Sequence, residues 1–239
     1  MSIILQTVNL KKTYSRGTAQ EMEALNGINL EFEQGYYYSV IGKSGCGKST
    51  LLHILGTLDH PSSGQVLLNG QDVFLLSRRE LAKLRRRRLG FIFQSYNLLQ
   101  EHTVYENILM PLHFDGRKPD PDFFERVNKL LETADFMDKY PSQLSGGEQQ
   151  RVSIARAIMA KPDVILADEP TGNLDPKTSK QTLDLLRSAV TELGQTLILV
   201  SHDMEVAAQA DIMIKIHAGE ILDIVTHQVT KHNQCVSNS

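Results

Sequence analysis

No stretch of this 239-residue sequence approaches the roughly 20 consecutive apolar residues that a membrane-crossing helix requires. The first residues, Met1-Ser2-Ile3-Ile4-Leu5-Gln6, lack the charged start and long apolar run of a secretory signal. Any membrane role is therefore expected to run through a partner. Cysteine is scarce: Cys46 and Cys235 lie far apart and offer neither a disulfide framework nor a zinc pattern, which points to a reducing compartment. A basic excess is also missing. The formal net charge of -3 argues against a general nucleic-acid binder, and no nucleic-acid partner is expected. What remains, 41% hydrophobic and 22% charged residues, suits a soluble domain large enough to bury a sizeable core.

Three stretches carry chemistry. Gly42-Lys43-Ser44-Gly45-Cys46-Gly47-Lys48-Ser49-Thr50 follows an apolar run, Tyr36–Ile41, that reads as a buried strand. Glycines at 42, 45 and 47 let backbone N–H groups turn inward around phosphates, and the helix expected from about Lys48 aims its positive end at the same place. Lys48 supplies a point charge for the β- and γ-phosphates, and the Ser49 hydroxyl suits Mg²⁺.

A second apolar run, Val164-Ile165-Leu166-Ala167, ends in Asp168 and Glu169. Carboxylates there emerge at the carboxyl edge of a parallel sheet, beside the glycine loop. Asp168 suits coordination of Mg²⁺, and Glu169 suits polarising an attacking water. Gln94, after Gly90–Phe93, and His202, after Thr196–Val200, occupy the same kind of position. Gln94 is expected to contact Mg²⁺ or the water, and His202 to bond the γ-phosphate.

Short strand-like runs alternate with helical patterns, implying a mostly parallel sheet with helices on both faces. Strands are expected at 65–68, 90–93, 164–167, 196–200 and 212–216. Early runs at 3–10, 27–32 and 65–68 read as a small antiparallel layer. From 95 to about 161 the strand signals fade, and helices are expected over 123–134 and 147–160. A further helix is expected between Pro176 and Leu193, and a polar, irregular tail after Ile224.

In this order the motifs resemble the nucleotide-binding subunit of ATP-binding-cassette transporters, over nearly all of Val8 to Leu222. Gly42–Thr50 matches Walker A, Gln94 the Q-loop, Leu144–Glu148 the signature and Val164–Glu169 Walker B. Asn173-Leu174-Asp175 matches the D-loop and His202 the H-loop. The resemblance implies an α/β fold: a P-loop NTPase core with a mostly parallel sheet, a small antiparallel β layer and an inserted α-helical subdomain. It implies one cassette over 1–224, a helical subdomain at about 95–161 and a tail at 225–239.

Further implications of the resemblance concern ATP and Mg²⁺. Ser145, Gly146 and Gly147 open a helix whose N-terminus would bind the γ-phosphate of ATP held by a second copy, with Asp175 at the same interface. Tyr14 matches the aromatic that stacks on adenine, the alternative being an edge-strand tyrosine that covers core. An integral membrane permease is the implied second partner, docked on the helical insert around 95–140, at the cytoplasmic face of the membrane. Glu148 departs from the glutamine many members carry.

Ala167–Asp175, with Leu89–Gln94 and Asn97-Leu98-Leu99, looks like the macrolide and antimicrobial-peptide exporter branch, which also holds lipoprotein-release and cell-division ATPases. A peptide or drug exporter is the first expectation, and a lipoprotein-release or cell-division ATPase the second. Soluble DNA-repair relatives carry a long coiled coil between glycine loop and signature, and the sequence between Thr50 and Leu144 lacks sustained heptads. Arg85-Arg86-Arg87-Arg88 reads as a solvated helix end rather than an anion site. Cys46, beside a helix N-terminus, is expected to be a reactive thiol whose alkylation blocks ATP binding.

Overall fold

Residues 2–227 are described in the computed structural model. In chain order its elements are β1 (Ile3–Tyr14), β2 (Met22–Glu33), β3 (Tyr37–Ile41), α1 (Lys48–Leu55), β4 (Ser63–Leu68), β5 (Gln71–Asp72) and α2 (Arg78–Arg88). There follow β6 (Leu89–Phe93), α3 (Val104–His113), α4 (Pro121–Leu131), α5 (Gly146–Met159), β7 (Val164–Asp168) and α6 (Pro176–Leu193). The chain then forms β8 (Leu197–Ser201), α7 (Met204–Ala208), β9 (Ile212–His217) and β10 (Glu220–Thr226).

Strands β2-β1-β4-β5 pair antiparallel in one sheet. The second sheet has the order β10-β9-β3-β8-β7-β6, in which every pair is parallel except β9 with β10. Parallel pairing demands long crossovers, and helices supply them. All five parallel strands consequently end on one edge. That edge receives Gly42 after β3, Gln94 after β6, Glu169 after β7 and His202 after β8.

Side-chain alternation splits the core in two. From β7 and β8, Ile165, Ala167, Leu197 and Leu199 join the cluster that holds α3, α4, α5 and α6. Their neighbours Val164, Leu166, Ile198 and Val200 join α1 and the antiparallel sheet on the other face. A period of two on strands buried on both faces produces this division. The helices of 95–161 therefore share one apolar core with the sheet.

Several expectations need correction. The 95–161 stretch holds three α-helices, not two, besides two single turns of 3-10 helix: α3 starts at a capping box in which Thr103 and Glu106 satisfy each other's backbone N–H groups. β10 continues past Ile224 to Thr226, and the His227 N–H donates to the Asp211 carbonyl at 2.8 Å. Most of the expected tail, with Cys235, lies outside the described residues.

The arginine run at the end of α2 is not simply solvated. Arg85 donates to the Thr57 carbonyl at 3.1 Å, Arg87 pairs with Asp115 at 2.7 Å, and Arg88 pairs with Asp163. Burial of Asp115 opposes its charge, but Arg87, Arg117 and Arg86 outweigh that and hold its carboxyl below the usual range. Charges at the helix C-terminus thus tie α2 to the loop after α3 and to the start of β7.

Candidate functional site

Two glycines of the loop are required by close packing against the chain's own backbone. Gly47 sits at φ 107, and a Cβ there would lie 2.3 Å from the Ala24 carbonyl oxygen. A Cβ on Gly42 would lie 2.3 Å from the Ile216 carbonyl oxygen. A side chain is excluded at these two positions, and Gly47 precedes α1 without giving it a side-chain cap. The first N–H groups of α1 therefore face the loop with the positive end of the helix dipole, an arrangement that fits an anion.

Lys48 is 6% exposed and donates from Nζ to the carbonyls of Gly42 at 2.8 Å and Lys43 at 3.0 Å. Its ammonium is thereby held within the loop. Ser44, Gly45, Gly47, Lys48, Ser49 and Thr50 line a cavity of about 460 Å³ together with Glu169, His202, Met22 and Ala24.

One carboxylate joins loop and sheet. The Ser49 hydroxyl donates to Asp168 Oδ1 at 3.1 Å, and His53 Nε2 lies 3.5 Å from Asp168 Oδ2. Contact with Asp168 raises the His53 pKa against the opposing effect of burial. Ser49 and Asp168 present oxygen donors, the chemistry that suits a hard divalent cation. Gln94 is engaged elsewhere: its Nε2 donates to Asn173 Oδ1 at 3.2 Å, and Asn173 Nδ2 returns a bond to the Gln94 carbonyl at 2.9 Å.

Glu169 adopts φ 43, a left-handed backbone uncommon for a residue with a Cβ. Its N–H is pinned to the Val200 carbonyl at 3.1 Å, and its Oε1 lies 3.1 Å from His202 Nδ1. Such strain persists where surroundings over-determine it, often at sites of function.

Tyr14 is not among the residues that line the glycine-loop cavity. Its hydroxyl donates to Asp59 Oδ2 at 2.8 Å, and the Lys12 ammonium stands 4.6 Å from the ring centroid. Burial raises its phenol pKa, a bond to Thr50 opposes the rise, and Asp59 adds to it.

Ser145, Gly146, Gly147 and Asp175 are not brought to this cavity. With Asn173, Leu174, Thr178 and others they line a separate space of about 700 Å³. Ser145 caps α5, and Glu148 Oε2 accepts from both its N–H and its hydroxyl at 2.7 Å. The bonds to Ser145 hold the Glu148 carboxyl below its ordinary pKa. Asp175 caps α6, accepting from the N–H groups of Lys177 at 3.0 Å and Thr178 at 3.1 Å.

Cys46 is 7% exposed and packs in the core beneath the loop, a setting that argues against the reactive thiol expected of it. Folded Cys235→Ser protein is expected to resist N-ethylmaleimide and to react fully in denaturant. Mass spectrometry checks this; fast labelling of the folded chain would show that the loop opens.

Sequence reasoning missed His53, although it stands one helical turn after Ser49 and shares its face. It also missed Arg156 on α5, whose guanidinium donates to the carbonyls of Asn97 at 2.6 Å and Tyr96 at 2.8 Å. Burial lowers the Arg156 pKa to about 10, so it stays charged at neutral pH.

Comparison with known proteins places this arrangement. A family model described as ABC transporter matches residues 25–172. The chain is 45% identical over 222 residues to the lipoprotein-releasing system ATP-binding protein LolD of Syntrophus aciditrophicus, covering 92% of this chain and 99% of that one. It is also 45% identical over 226 residues to the macrolide export ATP-binding/permease protein MacB of Brucella melitensis, covering 93% of this chain but only 34% of that longer protein. Among solved structures, the dimeric post-hydrolysis state of the cassette MJ0796, bound to ADP and Pi, superposes with a TM-score of 0.82 at 38% identity. That match covers 95% of this chain and all of the other.

Proposed function

Because this chain belongs to the ABC transporter family and is an ATPase of that family, we propose that two copies close head to tail over ATP and drive a separate permease. One observation carries this reading. Lys48, Ser49 and Glu169 line one cavity and the helix opening at Ser145 lines another, with no lining residue in common. A site complete in both halves needs a second copy.

In this scheme backbone N–H groups of Gly42–Thr50 and the Lys48 ammonium grip the triphosphate, while Tyr14 borders the base. Ser49 and Asp168 would hold Mg²⁺, with Gln94 as a further oxygen donor, and the ion would supply positive charge to offset that of the phosphates. Glu169 takes a proton from the attacking water, and His202 steadies its carboxylate and the γ-phosphate. Ser145, Gly146, Gly147 and Asp175 of the second copy complete the site. The MJ0796 structure, dimeric and holding ADP and Pi, supports this assembly.

Permease contact is assigned to the helical insert around 95–140, where Leu99, Tyr105 and Phe114 are exposed. Among the described residues no helix is long and apolar enough to cross a membrane. Peptide or drug export, at the cytoplasmic membrane face, is the first reading of the transported substrate, supported by the MacB relative. Lipoprotein release is the second, favoured by a LolD relative matched over 99% of its length. The membrane protein that co-purifies with the chain decides between them.

The assembly itself is tested by Ser145→Arg. The variant is expected to remain folded and monomeric with ATP on size-exclusion chromatography. Mixing it with Lys48→Ala protein should restore some hydrolysis, since one intact composite site then forms. An ATP-dependent dimer of Ser145→Arg alone would count against the scheme.

A further inference from the structure

Asp168 is held from two sides by one helix. Ser49 and His53 stand four residues apart on α1, so both project from the same face. Each meets a different oxygen of the same carboxylate, at 3.1 Å for Ser49 on Oδ1 and 3.5 Å for His53 on Oδ2. A carboxylate's terminal torsion is broad and roughly two-fold, so a single contact leaves its plane free to rotate. Two contacts anchored on one rigid helix restrict that rotation.

We infer that His53 is a positioning residue for the cation site, holding Asp168 Oδ2 from behind so that Oδ1 faces the Ser49 hydroxyl. The inference rests on the proposed reading of Ser49 and Asp168 as the protein's cation donors. When both of those oxygens turn to a cation, the Ser49–Asp168 hydrogen bond is given up. The His53 contact then remains to fix the carboxylate plane. Residues that orient a metal ligand in this way typically contribute about 10- to 100-fold to metal affinity. The His53 side chain is 41% exposed, so replacing it opens no sealed cavity.

The test measures Mn²⁺ affinity by electron paramagnetic resonance, on protein saturated with a non-hydrolysable ATP analogue, at one fixed pH. His53→Ala is expected to lose about 10-fold in Mn²⁺ affinity. His53→Gln, whose amide nitrogen reaches the place of Nε2, should recover most of that loss. Affinity for the analogue in EDTA should be the same in all three proteins. Parental Mn²⁺ affinity in His53→Ala, no recovery with Gln, or an equal loss of metal-free analogue binding would each overturn the inference. Asp168→Asn separates the two levels. If it too keeps parental Mn²⁺ affinity, the donor assignment itself fails; if it loses affinity while His53→Ala does not, only the role of His53 fails.

Discussion

Glu169→Gln is expected to bind ATP as tightly as the parent while hydrolysing it about 10²- to 10⁴-fold more slowly, the usual worth of a general base. The substitution changes one oxygen to nitrogen and keeps the shape of the side chain. An amide oxygen can still meet His202 Nδ1, 3.1 Å from the carboxylate in the native pair, so the constellation survives. What is lost is the capacity to accept a proton from water. Bound nucleotide then outlives its normal turnover, and the joined pair of chains should accumulate with ATP as an early peak on size-exclusion chromatography. Turnover at the parental rate would falsify the assignment of Glu169 as base. Slow turnover without the early peak would instead separate chemistry from closure.

Lys48→Ala should act one step earlier. A hydrogen bond to a charged group is worth about 1.5–3 kcal/mol, which converts to roughly 10- to 100-fold in ATP affinity. The ammonium of the buried Lys48, held on the Gly42 and Lys43 carbonyls, is already close to the place where phosphate charge is expected. Its removal leaves those carbonyls without their donor and the cradle without its full positive charge. Titration with a fluorescent ATP analogue measures the effect, and circular dichroism guards against unfolding. Unchanged affinity would move the phosphate grip onto the backbone N–H groups alone.

Elements buried on both faces were the most legible. Val164–Ala167 and Leu197–Val200 are dense in β-branched and aliphatic residues, and such runs bounded by polar punctuation have few other uses. Elements with little to bury were hidden. α2 buries only Leu81, so it shows no apolar stripe; its end was legible in the arginine run 85–88, while its start lay in the Ser77…Glu80 capping box. α3 carries Pro111 within it, a residue that argues against a helix interior. β10 is an edge strand with most side chains exposed, and its alternation is weak.

In the site, residues placed by strand ends were foreseeable, because topology sets them on one edge. The turn of Gln94 toward Asn173 was not, since it depends on contacts between segments 79 positions apart. The burial of Cys46 was likewise invisible. Its neighbours in the loop are polar or glycine, while the packing beneath it comes from distant strands.

α5 joins two parts of the molecule that are remote in sequence. Tyr96 and Asn97, just after Gln94, both hold left-handed backbone, at φ 59 and 50. Their carbonyls are gripped by Ser153 and Arg156 near the far end of that helix. At 1.5 Å per residue, roughly 16 Å of stiff rod separates Arg156 from Ser145. The Tyr96 hydroxyl lies 3.0 Å from where a Cβ on Gly146 would stand, so the segment after Gln94 is tied to that rod at its middle, its far end and its opening turn.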